Sequence, residues 1–442
     1  MVEFIVGNCY TVASGASKEQ IDLLREWTSF PVAGVEYLKK KLPWYDGREN
    51  LMRYDRKTKT YHFPTGVLVT IIQVFDNRGF EYVVVDNRTR HERTEEFKWR
   101  FNKQLYDHQL ESTKSIVDSN WEGDPTCGRG LIRAPVRSGK TVAAAWIIRS
   151  LGRRALYIVH TKEIFHQTVR AYRGIFGKDA IGTVHESTFD LRPITIALVQ
   201  SLIAKPDSLE SIRRHSVGVL IMDEAHHARG EKWRNYMMGI DCEFRIGLSG
   251  TIYVSHRRES ELRAIWMVAT FGPIRYSISI RKLQSLGILK PIRMEFYRIS
   301  KPTHIKKWTW RGGKARSEGI IDNRYRNDLI SQLVRRSVAA GRKVMVVANE
   351  HRHILQICEL LEPGSYRVVF GLIKDAVRQE SIREFREGRY QVLIGNVIGE
   401  GLDVPECDDM INCAGGAARE TAIQRLRNMT QSKGKKFGVY MD

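Results

Sequence analysis

The sequence predicts an α/β protein: two tandem parallel-sheet lobes preceded by a small α+β domain. Three observations predict it. The chain has 442 residues, too many for one ordinary core. From about residue 129 short apolar runs alternate with helical stretches, the rhythm of βαβ units. The same rhythm restarts near Lys343.

The first 100 residues read differently. Phe4-Ile5-Val6 has the character of a strand, and Ser17 to Trp27 carries helical spacing behind a Ser cap. Gly66 to Ile72 and Glu81 to Val85 are β-branched runs separated by Asp76-Asn77-Arg78-Gly79, which predicts a hairpin. Basic and aromatic residues interleave in Lys39 to Arg48 and Arg53 to Lys57, a pattern that suits phosphates and bases as well as it suits a solvated turn around a packed Trp.

In the first lobe the strands are expected at Leu131–Ala134, Ala155–Val159, Ile194–Val199, Val217–Met222 and Phe244–Leu248. Helices are expected near 140–150, 162–175 and 230–239. In the second lobe the strands are expected at Lys343–Ala348, Arg367–Phe370, Val392–Ile394 and Phe437–Tyr440, with helices near 350–361 and 375–387. The lobes join around Leu286–Pro291. The domains are therefore expected at 1–100, 101–288 and 289–442. Residues 290–326 hold eleven Lys and Arg against three acidic residues, with Trp308 and Trp310 among them, and read as a basic insertion.

Composition narrows the class. The net charge is +21, yet residues 1–100 contribute only +2, from 16 basic and 14 acidic side chains. The excess lies with the lobes, and a basic surface attracts polyanions. No apolar run reaches the length of a membrane span, and the N-terminus lacks the pattern of a secretory signal. The six cysteines form no Cys-x-x-Cys pair, which argues against a zinc ribbon or a disulfide framework. The expected setting is cytoplasmic, with no membrane partner.

The chemistry is concentrated in two places. Ala134-Pro135-Val136-Arg137-Ser138-Gly139-Lys140-Thr141 stands between a strand and a helix. The amides of such a loop and of the helix start cradle β- and γ-phosphates; Lys140 adds a charge to them, and the Thr141 hydroxyl is a Mg²⁺ ligand. An Ala stands where the first Gly of this pattern usually does. Downstream, Val219-Leu220-Ile221-Met222 runs into Asp223-Glu224-Ala225-His226. A buried strand would deliver the two carboxylates at its carboxyl end, where α/β sheets bind ligands. Asp223 suits a Mg²⁺ shell, and Glu224 suits orienting and deprotonating an attacking water.

With those two motifs the chain resembles the superfamily 2 helicases of the DEAH-box kind, which implies RecA-like lobes, ATP and Mg²⁺. Further motifs follow in the family's order. Leu105-Tyr106-Asp107-His108-Gln109 resembles the adenine-reading element, so Gln109 is implied at the base. His226 joins the nucleotide site. Val159-His160-Thr161-Lys162 with Gln167 resembles motif Ia, and Val199-Gln200-Ser201 a later strand-contacting segment. Thr161, Lys162, Gln167, Gln200 and Ser201 are thus implied at nucleic acid, and Lys306, Lys307 and Arg311 of the insertion are added as candidates. Ser249-Gly250-Thr251 matches the motif that couples hydrolysis to lobe movement. Gly401 and Asp403, in Glu400 to Pro405, match motif V beside ATP.

The last motif departs from the family. Where the pattern is Gln, two residues, Gly-Arg, two residues, Arg, the chain reads Gln424-Arg425-Leu426-Arg427-Asn428-Met429-Thr430-Gln431. Asn428 and Gln431 replace the arginines that steady the γ-phosphoryl group, which are worth on the order of 10³-fold in rate. One residue is about 100° of helix rotation, so Arg427 and Arg425 are candidates rather than simple replacements. Either a backbone shift lets one of them serve, or hydrolysis is weakened.

Trp44-Tyr45-Asp46-Gly47-Arg48 and Tyr61-His62-Phe63-Pro64-Thr65-Gly66 are similar to the domain ahead of the motor in UvsW-type bacteriophage recombination helicases. That resemblance implies branched or duplex DNA, branch migration and fork regression, a monomer, and a phage-infected host cell. The competing readings are an RNA helicase, a restriction-type translocase, or an ATP-gated nucleic-acid binder that hydrolyses weakly.

Overall fold

The computed structural model describes residues 1–31, 47–94, 101–119, 121, 124–135, 137–250, 258–289, 291–299, 317–396, 407–414 and 438–441. They form two compact units, Met1–Ser279 and Ile280–Asp442, so the division falls ahead of the Leu286–Pro291 stretch.

The first unit begins with β1 (Val2–Val6), β2 (Tyr10–Ser14), β3 (Ser29–Pro31), β4 (Arg48–Asn50), β5 (Arg53–Asp55), β6 (Thr60–Pro64) and β7 (Tyr82–Asp86). Five of these make a sheet in the order β5-β6-β2-β1-β7, while β3 and β4 pair separately. Alternation along β1 turns Val2, Phe4 and Val6 inward, where Phe4 meets Phe63 and Phe75 edge-on at 6.2 and 5.4 Å. The helix Lys18–Thr28 starts on a capping box in which Ser17 and Gln20 satisfy each other's backbone N–H, as the sequence led us to expect of Ser17.

The predicted hairpin is not formed. Gly66–Ile72 is not a strand; Thr65–Val67 is a 3₁₀ turn, and Leu68–Arg78 is a helix closed by left-handed Gly79. Leu68, Ile71 and Phe75 recur at three and four residues and are buried along one side, so packing overrode the β preference of the branched run. The strand expected over 81–85 does form as β7, but it lies parallel to β1, reached through that helix rather than through a turn.

Next come β8 (Arg129–Arg133), β9 (Ala155–Val159), β10 (Ile181–His185), β11 (Thr188–Asp190), β12 (Ile194–Leu198), β13 (Val219–Asp223), β14 (Phe244–Ser249) and β15 (Ile274–Ser277). They form one sheet, β11-β10-β12-β9-β13-β14-β8-β15, in which only the β10–β11 pair is antiparallel. All five residues of β9, β12 and β13 are buried, as strands covered on both faces require. Leu156, Ile158, Leu220 and Met222 pack on one face against Met237 and Phe271. The five strands expected here and the helices Lys140–Leu151, Lys162–Phe176 and Glu231–Met238 stand within a few residues of their predicted bounds.

The small sheet packs directly on this lobe. Phe30 meets Trp266 edge-on at 6.1 Å, and the Arg234 guanidinium lies 3.5 Å over the Trp266 ring. Gly66 comes so close to the Arg258–Phe271 helix that a Cβ there would sit 1.9 Å from the Val268 carbonyl oxygen. Asn8 Nδ2 donates to Asp241 Oδ1 at 2.8 Å. Beneath this seam Arg245 is fully buried and donates to the carbonyls of Met237, Ile240 and Thr270 at 2.8, 2.8 and 3.0 Å. Arg129 donates to the Asn8 carbonyl.

The second unit holds β16 (Ile292–Glu295), β17 (Val344–Val347), β18 (Tyr366–Val369), β19 (Val392–Gly395), β20 (Asp409–Asn412) and β21 (Gly438–Met441). They are parallel throughout, in the order β16-β21-β20-β17-β19-β18. Val344 and Val346 pack on one face with Ile354 and Ile357; Met345 and Val347 pack on the other with Ile382 and Phe385. The predicted helices are His351–Glu359 and Asp375–Glu387. No helix among the described residues is long and apolar enough to cross a membrane, and the six cysteines carry no disulfide.

Candidate nucleotide and nucleic-acid site

The phosphate-type loop leaves β8 and enters the Lys140–Leu151 helix. Arg137 and Gly139 are left-handed, with φ of 65° and 82°, which bends the loop over the helix start. Glycine suits this position because its φ of 82° would strain any side chain; a Cβ would also displace the end of the Gln109 side chain, 1.9 Å away at Nε2. Lys140 Nζ folds back to donate to the carbonyls of Ala134 and Pro135 at 3.0 and 3.2 Å. The Ser138 hydroxyl is buried and makes no hydrogen bond among the described residues. A buried hydroxyl beside a lysine and a helix N-terminus fits a phosphate oxygen.

Gln109 braces this loop. Its Oε1 accepts from Tyr106 N at 3.0 Å, and its Nε2 donates to Ser138 O at 3.2 Å. Exposed Tyr106 stacks on His108 at 5.8 Å.

Asp223 ends β13, between β9 and β14, and its Oδ1 accepts from Glu224 N at 2.9 Å. Glu224 is left-handed at φ 48°, an uncommon state for a non-glycine residue that turns its carboxylate toward His226. Glu224 Oε2 lies 3.3 Å from His226 Nδ1, which is 3.0 Å from Ser249 Oγ at the end of β14. One imidazole therefore joins Glu224 to Ser249, the described start of the Ser249-Gly250-Thr251 run. Burial raises the Asp223 carboxyl, and the Glu224 charge raises it further, against the pull of Lys140. Burial would raise Glu224 as well, but Lys140 and then His226 outweigh it and hold Glu224 at about 2. Lys140 thus acts on both carboxylates.

The residues implied at nucleic acid gather at the carboxyl ends of β9 and β12. Thr161 caps the Lys162–Phe176 helix, its Oγ1 accepting from Ile164 N. Lys162 is exposed and pairs with Glu186 at 2.7 Å. Ser201 Oγ accepts from Glu186 N at 3.0 Å, and Gln200 Nε2 donates to His160 O at 3.0 Å. Gln167 lies two turns into the same helix, partly exposed. Lys306, Lys307, Arg311, Thr251, Gly401, Asp403, Gln424, Arg425 and Arg427 lie outside the described residues.

The sequence reading missed a link between these two groups. His160 stacks on His227 at 4.1 Å, and His227 meets His226 at 4.3 Å. The doubled His after the carboxylates was its one visible signal.

A family model for the res subunit of type III restriction enzymes matches residues 102–254, and one for the helicase conserved C-terminal domain matches 325–427. A DNA 3′-5′ translocase, XPB2 of Sulfurisphaera tokodaii, is 22% identical over 75% of this chain and 80% of its own. Other curated relatives, haloarchaeal Rad25-type helicases, are longer, and the chain spans about half their length, 48% and 47%. Among solved structures, a fragment of a type I restriction HsdR subunit from Vibrio vulnificus aligns with a TM-score of 0.58 at 18% identity, over 88% of this chain and 73% of that one. Bacteriophage T4 UvsW aligns over 100% of this chain and 90% of its own, at a TM-score of 0.47 and 17% identity, too loose a match to argue from. The two models occur in order on one chain, and the first contains the phosphate-type loop and the carboxylate pair: this protein belongs to the superfamily 2 helicases and translocases.

Proposed function

We propose that the chain is a DNA helicase or translocase that uses ATP with Mg²⁺ to act on branched or duplex DNA, in branch migration and fork regression. The observation that carries the ATP half is Lys140, set in a loop whose Ser138 hydroxyl has no partner among the described residues and acting on both buried Asp223 and half-buried Glu224. Thr141 and Asp223 would hold Mg²⁺, which when bound neutralises charge between phosphate oxygens. Lys140 would exchange two backbone carbonyls for phosphate. Glu224 would orient the attacking water and accept its proton. His226 keeps Glu224 aimed, and Ser249 passes that position to the coupling motif.

The DNA half is supported by the +19 charge beyond residue 100 and by the cluster of Lys162, Gln200 and Ser201. Preference for branched DNA is supported by the sequence similarity of the first 100 residues to UvsW-type helicases. The test is branch migration of a four-way junction, with Lys140→Ala as the inactive control. ATPase stimulation by forked DNA, duplex DNA and RNA is measured alongside. Stimulation by RNA alone would replace this reading with an RNA helicase, and stimulation by duplex without junction movement would favour a restriction-type translocase.

A second reading, an ATP-gated binder with weak hydrolysis, is favoured by Asn428 and Gln431. Arginine at both positions is then expected to raise the ATPase rate by at least 10³-fold. A wild-type turnover of tens per second would exclude it.

A further inference from the structure

We propose that Tyr157, with Tyr172 packed on its ring, is a positioning residue for Asp223 that holds the carboxylate in the orientation a divalent cation requires. This rests on the reading of Asp223 as a Mg²⁺ ligand. Tyr157 is the middle residue of β9, level with Ile196 of β12 and Ile221 of β13. Asp223 follows Ile221 by two residues, so strand alternation puts it on the same face as Tyr157, at a diagonal an aromatic side chain spans. The Tyr157 ring is fully buried and meets Tyr172, from the Lys162–Phe176 helix, at 5.3 Å.

Both phenol hydroxyls are buried, and among the described residues neither meets hydrogen-bond geometry with a protein group. Burying a hydroxyl without a partner is unfavourable, and Phe would fill the same space among Ile196 and Ile221 without that cost. The placement makes sense if the hydroxyls serve the carboxylate. Phenols are protonated donors at neutral pH, and burial first, then the Asp223 charge, push both further above their ordinary range. One Asp223 oxygen is already held by Glu224 N–H, so the phenol would supply a second anchor. Partners behind a metal ligand commonly alter metal affinity by 10-fold or more.

The experiment titrates Mg²⁺ into the full chain with a fluorescent ATP analogue and reads nucleotide binding rather than turnover. Tyr157→Phe is expected to raise the Mg²⁺ midpoint about tenfold, leave binding in EDTA unchanged and not lower the melting temperature. Tyr172→Phe is expected to move the midpoint less. A Tyr157→Phe midpoint equal to wild type overturns the proposal, and a lowered melting temperature with that same midpoint assigns the ring to packing and overturns it too. If wild-type binding is lost in Lys140→Ala but shows no dependence on Mg²⁺, the Asp223 reading itself fails and the proposal falls with it.

Discussion

Gly66→Ala tests how firmly the first 94 residues are joined to the lobe behind them. The new Cβ would stand 1.9 Å from Val268 O and 2.6 Å from Ala269 O. Both are backbone atoms within the Arg258–Phe271 helix, so no side chain can swing aside. To reach even 3.0 Å, the 3₁₀ turn and the helix must part by about 1.1 Å. Overpacking of this kind costs about 1–3 kcal/mol, and immovable neighbours put this case near 3. At about 2–4 °C per kcal/mol for a unit of this size, the melting temperature should fall by about 6–12 °C. Scanning calorimetry measures it, and limited proteolysis should show faster cutting of the N-terminal segment. Gly79→Ala is the control, because it has open space around it but a φ of +69°, and it should cost only about 1–2 kcal/mol. A Gly66→Ala protein that melts within about 2 °C of wild type would refute the close approach.

Glu224→Gln should leave nucleotide affinity intact and lower turnover by about 10²–10⁴-fold in single-turnover ATPase, since it removes the proton acceptor and keeps the shape. Lys162→Ala should weaken DNA binding across unrelated sequences and reduce the slope of log K against log salt by about one, measured by fluorescence anisotropy. His353 is buried in the second unit, 3.0 Å from Asn327 Oδ1, and burial followed by the Arg326 charge lowers its pKa from 6.5 to about 4. The unfolded chain therefore binds the extra proton first, so stability should fall as pH drops from 6.5 toward 4, by up to about 3 kcal/mol. His353→Gln should flatten that stretch of the melting-versus-pH curve.

The parts legible in the sequence were those whose chemistry is local. Lys140 sits beside the loop it serves, and Val219–Asp223 announces a buried strand because four apolar residues precede the carboxylates. The two lobes were legible for the same reason, since covered parallel strands are unbroken apolar runs. Leu68–Arg78 was misread because Val69, Thr70, Ile71 and Ile72 look like strand by composition; only tertiary burial of Leu68, Ile71 and Phe75 reveals the helical side. Tyr157 reads as an ordinary strand residue until β13 is laid beside it. Arg129 and Arg245 are among the most buried side chains; the Asn8 carbonyl accepts from Arg129, and the carbonyls of Met237, Ile240 and Thr270 converge on Arg245, contacts between separate segments that no local pattern announces.

That convergence has a mechanical consequence. Arg245 and Ser249 lie on β14, four residues apart, and alternation puts them on one face about 13 Å apart. Arg245 is tied to Met237, Ile240 and Thr270, and its Nη1 reaches Cys9 Sγ at 3.5 Å, while Ser249 touches His226. One strand therefore runs from the seam of the small sheet to the imidazole that aims Glu224. Strands inside a close-packed sheet do not stretch, so a wedge at Gly66 that shifts the Arg258–Phe271 helix also shifts Thr270, and with it the anchor of Arg245. Gly66→Ala should then lower ATPase turnover at temperatures well below its melting point, with nucleotide affinity changed little. Full turnover in a variant already shown by proteolysis to have a loosened seam would break the link between Arg245 and Ser249.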